Sequence, residues 1–167
     1  MQNPDKVLSL LKNEYPKSKY YLNFSNPFEL CVAAILSAQC MDIIVNAVTD
    51  KLFKKYKTPQ DFTHLDEKDI SAITFFRAKA SNIRKMSGMI ITEHEGKVPQ
   101  STEALTELPG IGKKTANAIM QNAFGIVEGV VVDTHVIRVS YRLGWTKQTN
   151  PKKIEQAVTL ICDQGCV

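Results

Sequence analysis

The sequence predicts an all-α protein, and three observations carry that prediction. Apolar residues recur at helical spacing along most of the 167 residues. Helix-start signals recur at Asn3-Pro4, Asn26-Pro27, Thr58-Pro59 and Asn150-Pro151. In each, a side-chain oxygen precedes a proline whose fixed φ suits the first helical turn. The one stretch β-branched enough to hint at a strand, 125–132, finds no partner strand elsewhere and is read as an extended link.

Taken in order, the first helix runs from Pro4 through Val7, Leu8, Leu10 and Leu11 to about Tyr15. The second, FELCVAAILSAQ, is apolar on nearly every face and therefore belongs in the middle of a bundle. Asp42 is expected to cap the third, DIIVNAVTDKLFKKY, with Lys51, Lys54 and Lys55 facing solvent. Thr58-Pro59 and Asp66 open two shorter pieces, the second closed by Phe75-Phe76. Ile83, Met86 and Ile90 mark a helix from Arg77 to about His94, ended by Gly96 and Pro99.

A turn, Leu-Pro-Gly-Ile-Gly at Leu108 to Gly112, separates a short helical run from one at Lys113 to Phe124. The latter places Ala116, Ile119, Met120 and Ala123 on one side, with Lys114, Asn117 and Gln121 together on another. Asp133 precedes a helix with His135, Arg138 and Arg142 on a basic face and Gly144 at its end. A last helix runs from Asn150-Pro151 through Ile154, Val158 and Ile161.

The balance of 21 basic against 17 acidic residues gives a net charge of +4, which permits nucleic-acid binding without demanding it. The start, MQNPDKV, lacks a signal-peptide core, and no apolar run reaches the length of a membrane span. Cysteines at 31, 40, 162 and 166 do not form a disulfide framework; their usage is reduced and cytosolic.

The turn before Lys113 has the composition of an anion site. Glycines at 110 and 112 are expected to allow positive φ and to let backbone N–H groups approach a phosphate. The following helix adds its N-terminal donors and the positive end of its dipole. A Walker loop is excluded, because Glu107 and Lys114 stand where glycine and Ser or Thr belong. A dinucleotide fingerprint fails too, since Thr115 replaces the third glycine and no strand precedes the turn. What remains is a helix, a glycine hairpin and a helix against a nucleic-acid backbone.

LPGIGKKTANAI, followed by Val132-Asp133-Thr134-His135 and preceded by LSAQ (Leu36 to Gln39) and RAKASNI (Arg77 to Ile83), resembles the helix-hairpin-helix DNA glycosylases, and among them the endonuclease III type. The resemblance runs from about Phe28 to about Val158 and rests on several motifs in order. It implies two helical lobes: 22–130 with the hairpin, and 1–21 plus 131–167, the latter incomplete relative to the family. It also implies double-stranded DNA with a damaged base or abasic site as the partner, bound by a monomer in the cytoplasm, at the nucleoid in a prokaryote.

The expected activity is excision of oxidised pyrimidines with cleavage of the abasic site. An amine can displace a base, form an imine with the opened sugar and so ease β-elimination. The resemblance gives this part to Lys114, whereas Lys-Lys pairs such as Lys113-Lys114 are commonly solvated. Asp133 would activate that lysine and stabilise the sugar cation, although an N-cap aspartate needs no other purpose. Gln39 corresponds to a gap-filling glutamine and Phe75 to a wedge in the duplex, with helix-end polarity and core packing as the plainer alternatives. Lys79, Gly110, Gly112, Lys113, Thr115 and His135 complete the expected DNA contacts.

Relatives continue into a loop with four closely spaced cysteines around an iron-sulfur cluster. Cys162 and Cys166 lie too near Asp133 to be those ligands, and two thiolates do not suffice. Neither cluster nor zinc is expected, and a monovalent cation at the hairpin is the one ion left open. A glycosylase for purine lesions or mismatches, and a non-catalytic DNA-binding module, are the competing readings.

Overall fold

Side-chain oxygens open most of the helices. In the computed structural model, which describes residues 3–16, 20–126 and 130–163 (the side chains of 162 and 163 excepted), Asn3 accepts from Lys6 N at 3.2 Å and opens α1 (Pro4–Glu14). Asn26 accepts from Glu29 N at 2.9 Å and opens α2 (Pro27–Ser37). Thr58 and Asp61 exchange side-chain and backbone bonds as a capping box on the single turn α4 (Pro59–Phe62). Asp66 caps a 3₁₀ turn at Glu67–Ile70. α3 (Asp42–Lys55) departs from expectation: Met41 is its N-cap, with no side-chain bond. Asp42 stands inside the first turn, where its charge still complements the helix dipole.

α5 (Phe76–Glu93), α6 (Thr102–Glu107), α7 (Lys113–Phe124), α8 (Thr134–Arg142) and α9 (Pro151–Asp163) complete the order. No strand occurs among the described residues, so the fold is all-α. Of the extended link, residues 126 and 130–132 carry no regular structure, and 127–129 lie outside the described residues.

The chain divides into two compact units, Tyr20–Ile126 and Met1–Lys19 with Val127–Val167. Within the first, α2 buries eight consecutive or near-consecutive residues from Phe28 to Leu36 and packs on α3, α5 and α7. That follows from its all-round apolar sequence. Phe62, from α4, is fully enclosed by Phe28, Phe53 and Tyr56, with ring centroids 5.2 to 6.3 Å away. In the second unit α8 packs on α9, and Ile154 and Val158 are the buried aliphatics among the described residues. α1 buries nothing.

Candidate nucleic-acid interface

The hairpin is fixed from beneath by its apolar residues. Leu108 and Ile111 are both buried, and Ile111 N donates to Leu108 O at 3.1 Å across the turn. Between them Gly110 has φ +88°, and a Cβ there would meet Asn82 Cβ at 3.2 Å and Ile35 Cγ1 at 3.3 Å. The turn is thus pressed against α5 and α2 at a point where only glycine fits. Gly112 corrects the expectation: its φ is −91°, which any residue adopts, and open space surrounds it. What it contributes is an uncovered approach to the start of α7.

Gly112 gives α7 no side-chain cap, so the cap residue does not cover the donors of the first turn. Lys113 and Lys114 are exposed there, and Thr115 is half-buried. Asn117 does not share their face, as spacing alone suggested. It is buried, and Thr102 Oγ1 of α6 donates to its Oδ1 at 3.5 Å. Gln121 is exposed.

Gln39 and Phe75 follow and precede helices of the same unit, and both adopt left-handed backbone, φ 53° and φ 56°. Phe75 is 64% exposed; its neighbour Phe76 takes the core-facing place. Gln39 is exposed as well. Neither is glycine or asparagine, so no sequence signal announced the conformation.

Lys79 corrects the sequence reading. Expected on a phosphate, it is 6% exposed, and its Nζ donates to Leu36 O at 2.8 Å and Ala38 O at 2.6 Å. Those carbonyls close α2, and a lysine is a suitable donor for the unpaired acceptors of a helix C-terminus. Burial holds its ammonium below the usual lysine range, with the Cys40 thiol acting in the opposite sense.

In the other unit Asp133 is the N-cap of α8, half-buried, its Oδ1 accepting from His135 N and Val136 N at 2.9 Å each. His135, Arg138 and Arg142 are exposed, and the Arg138 guanidinium donates to His135 Nδ1 at 3.2 Å. This directs the other ring nitrogen outward as the N–H donor.

A four-thiolate cluster does not fit the residues described. Cys31 is 0% exposed inside α2, and burial pushes its thiol up to about 12, whereas a cluster ligand must be a thiolate. Among the described residues no group of three or more His, Cys, Asp or Glu could hold a metal ion. None of their helices is long and apolar enough to cross a membrane.

Over residues 32–164 the sequence matches the HhH-GPD superfamily of base excision DNA repair proteins. It is 43% identical to endonuclease III of Synechocystis sp., covering 98% of this chain and 76% of the relative. The chain belongs to the endonuclease III family. To the Bacillus subtilis member it is 48% identical over 141 residues, which span 82% of the chain and 64% of that relative's own length. A solved endonuclease III trapped as a covalent intermediate with DNA is 40% identical, with a TM-score of 0.86, covering 96% of this chain and 79% of that one. A thermostable thymine-DNA glycosylase at 23% identity, TM-score 0.78, shares the fold.

Family membership turns the hairpin from an anion site of unspecified use into part of a repair protein. It leaves the division of labour among Lys114, Asp133, Gln39 and Phe75 to chemistry. Asn82 lies within the RAKASNI stretch, but its part in seating the hairpin at Gly110 became visible only through packing.

Proposed function

We propose that this protein is a bifunctional DNA glycosylase that removes oxidised pyrimidines from duplex DNA and cleaves the resulting abasic site, acting on the chromosome in the cytoplasm. The observation that carries the reading is Lys114 standing exposed on the first turn of α7, directly after a hairpin seated on α2 and α5. A base stacked in a duplex is beyond reach of any side chain, so the nucleotide must first leave the helix. The hairpin amides, Lys113 and Thr115 hold the backbone phosphates while Gln39 and Phe75 occupy the vacated stack. His135 with Arg138 adds donors for phosphate oxygens.

In the chemical step the neutral amine of Lys114 forms a bond to the sugar C1′, and the bond from C1′ to the base breaks, its electron pair leaving with the base. The amine proton is taken up by a carboxylate that also offsets the cation developing at C1′, the part we assign to Asp133. The sugar ring then opens, the ring oxygen takes a proton, and a protonated imine joins Lys114 to C1′. Loss of a C2′ proton breaks the C3′–O bond to phosphate, and water returns the lysine. No step needs a metal, and within these 167 residues we assign no iron-sulfur ligands.

Borohydride trapping on duplex DNA with an abasic site tests the assignment, with Lys114→Ala alongside. The expected result is a covalent adduct with the parent and none with the variant. A folded, DNA-binding parent that gives no adduct would remove the lyase step. A base-release assay on thymine-glycol duplex then separates a monofunctional glycosylase from a non-catalytic DNA-binding module.

A further inference from the structure

Lys79 is the unusual cation of the Tyr20–Ile126 unit: buried, and hydrogen-bonded to backbone carbonyls. A buried charge is costly unless its surroundings need it, and capping a helix end can be done with a neutral donor. What sets Lys79 apart is where its bonds go. Its Nζ bonds the carbonyl of Ala38, the peptide group shared with Gln39. Its backbone N donates to the carbonyl of Phe75 at 3.2 Å, the first intrahelical bond of α5, so the side chain ties the end of α2 to the turn that carries Phe75. One residue therefore holds the backbone on either side of the surface that presents the two left-handed, exposed side chains. The Cys40 N to Ser37 O bond, 3.0 Å, closes the turn around Gln39.

We infer that Lys79 is a positioning residue that fixes Gln39 and Phe75 relative to one another, so that both enter the gap left by an extruded nucleotide; this rests on the glycosylase reading above. A left-handed residue other than glycine reverts to commoner backbone angles when its surroundings slacken. With the Ala38 carbonyl released, Gln39 loses the constraint on its peptide plane, and the two side chains no longer arrive together. A displacement of about 1 Å is enough to cost about a hundredfold in rate. Lys79 itself touches no substrate.

The test is a mutant cycle read by single-turnover release of thymine glycol, below the melting temperature of every variant. Lys79→Met should slow base release by about ten- to a hundredfold, and Lys79→Arg should recover most of the rate, since a guanidinium can also serve two carbonyls. In a Gln39→Ala, Phe75→Ala background Lys79→Met should change the rate by less than about twofold, because what it positions is gone. A tenfold loss persisting in that background, or no loss in the parent, overturns the proposal. If Lys79→Met does not fold, Lys79→Gln enters the same cycle. A parallel measurement uses 2-aminopurine beside a reduced abasic site, whose fluorescence reports insertion into the gap. Lys79→Met should lose the change seen with the parent. A parent that shows the fluorescence change but releases no base sinks the glycosylase reading alone, and the Lys79→Met fluorescence still decides the positioning.

Discussion

In Tyr20–Ile126, α2 lies inside a continuous core, and the hairpin, Lys114, Gln39 and Phe75 are all mounted on helices packed against it. In the unit of Met1–Lys19 with Val127–Val167, Asp133 is mounted on a short helix, and the buried aliphatics among the described residues are Ile154 and Val158. The first unit holds the groups proposed to act by packing over many neighbours. The second presents its carboxylate at a helix start, where Oδ1 accepts two local hydrogen bonds. A substitution that is harmless to one arrangement can therefore be ruinous to the other.

The largest contrast is expected in the core. Phe62→Ala empties the space between Phe28, Phe53 and Tyr56 and should cost about 3–5 kcal/mol in urea unfolding; a loss below about 1 kcal/mol would mean that this core is not the rigid part. Next, Asp133→Asn keeps an oxygen for the cap and removes the charge. Base release should fall by at least about a hundredfold with little change in melting temperature. If instead rate and stability both survive, Asp133 is a cap and nothing more.

The hairpin gives a smaller, internal comparison. Gly110→Ala should cost about 1–3 kcal/mol, from strained backbone and the close approach to Asn82 and Ile35, and weaken DNA binding. Gly112→Ala should change stability by less than about 0.5 kcal/mol and act on binding alone. Equal destabilisation by the two would show that the turn is not seated as described.

The effect that vanishes at neutral pH is an alkaline pH dependence. Burial holds the Cys31 thiol up to about 12 against an ordinary 9.0. Between those values the unfolded chain binds fewer protons than the folded one, so stability falls as pH rises through that window, by up to about 1.4 kcal/mol per pH unit. Cys31→Ala should flatten that part of the alkaline slope, and an unchanged slope would place the thiol in contact with water.

Most of the fold was legible because local chemistry and tertiary packing agree. Asn26-Pro27 announced α2, and its unbroken apolar run announced the centre of the bundle. Placement was legible where a motif lies along one stretch, as at Lys113-Lys114 on the exposed first turn of α7. It failed where side-chain direction depends on a neighbour distant in sequence. Lys79 reads as a surface lysine until α2 is seen ending beneath it. Asn117 reads as a partner of Lys114 until α6 covers that face with Thr102. Gly112 reads as a left-handed glycine because sequence cannot separate the residue that needs positive φ, Gly110, from the one that needs only room.

The backbone angles of Gln39 and Phe75 carry a thermodynamic consequence. A side chain in the left-handed region costs about 1 kcal/mol relative to glycine, so at both places the chain sacrifices robustness to display an amide and an aromatic ring. Selection for heat tolerance alone would drift to glycine at 39 and 75, returning a sturdier protein without the two side chains that we propose fill the gap.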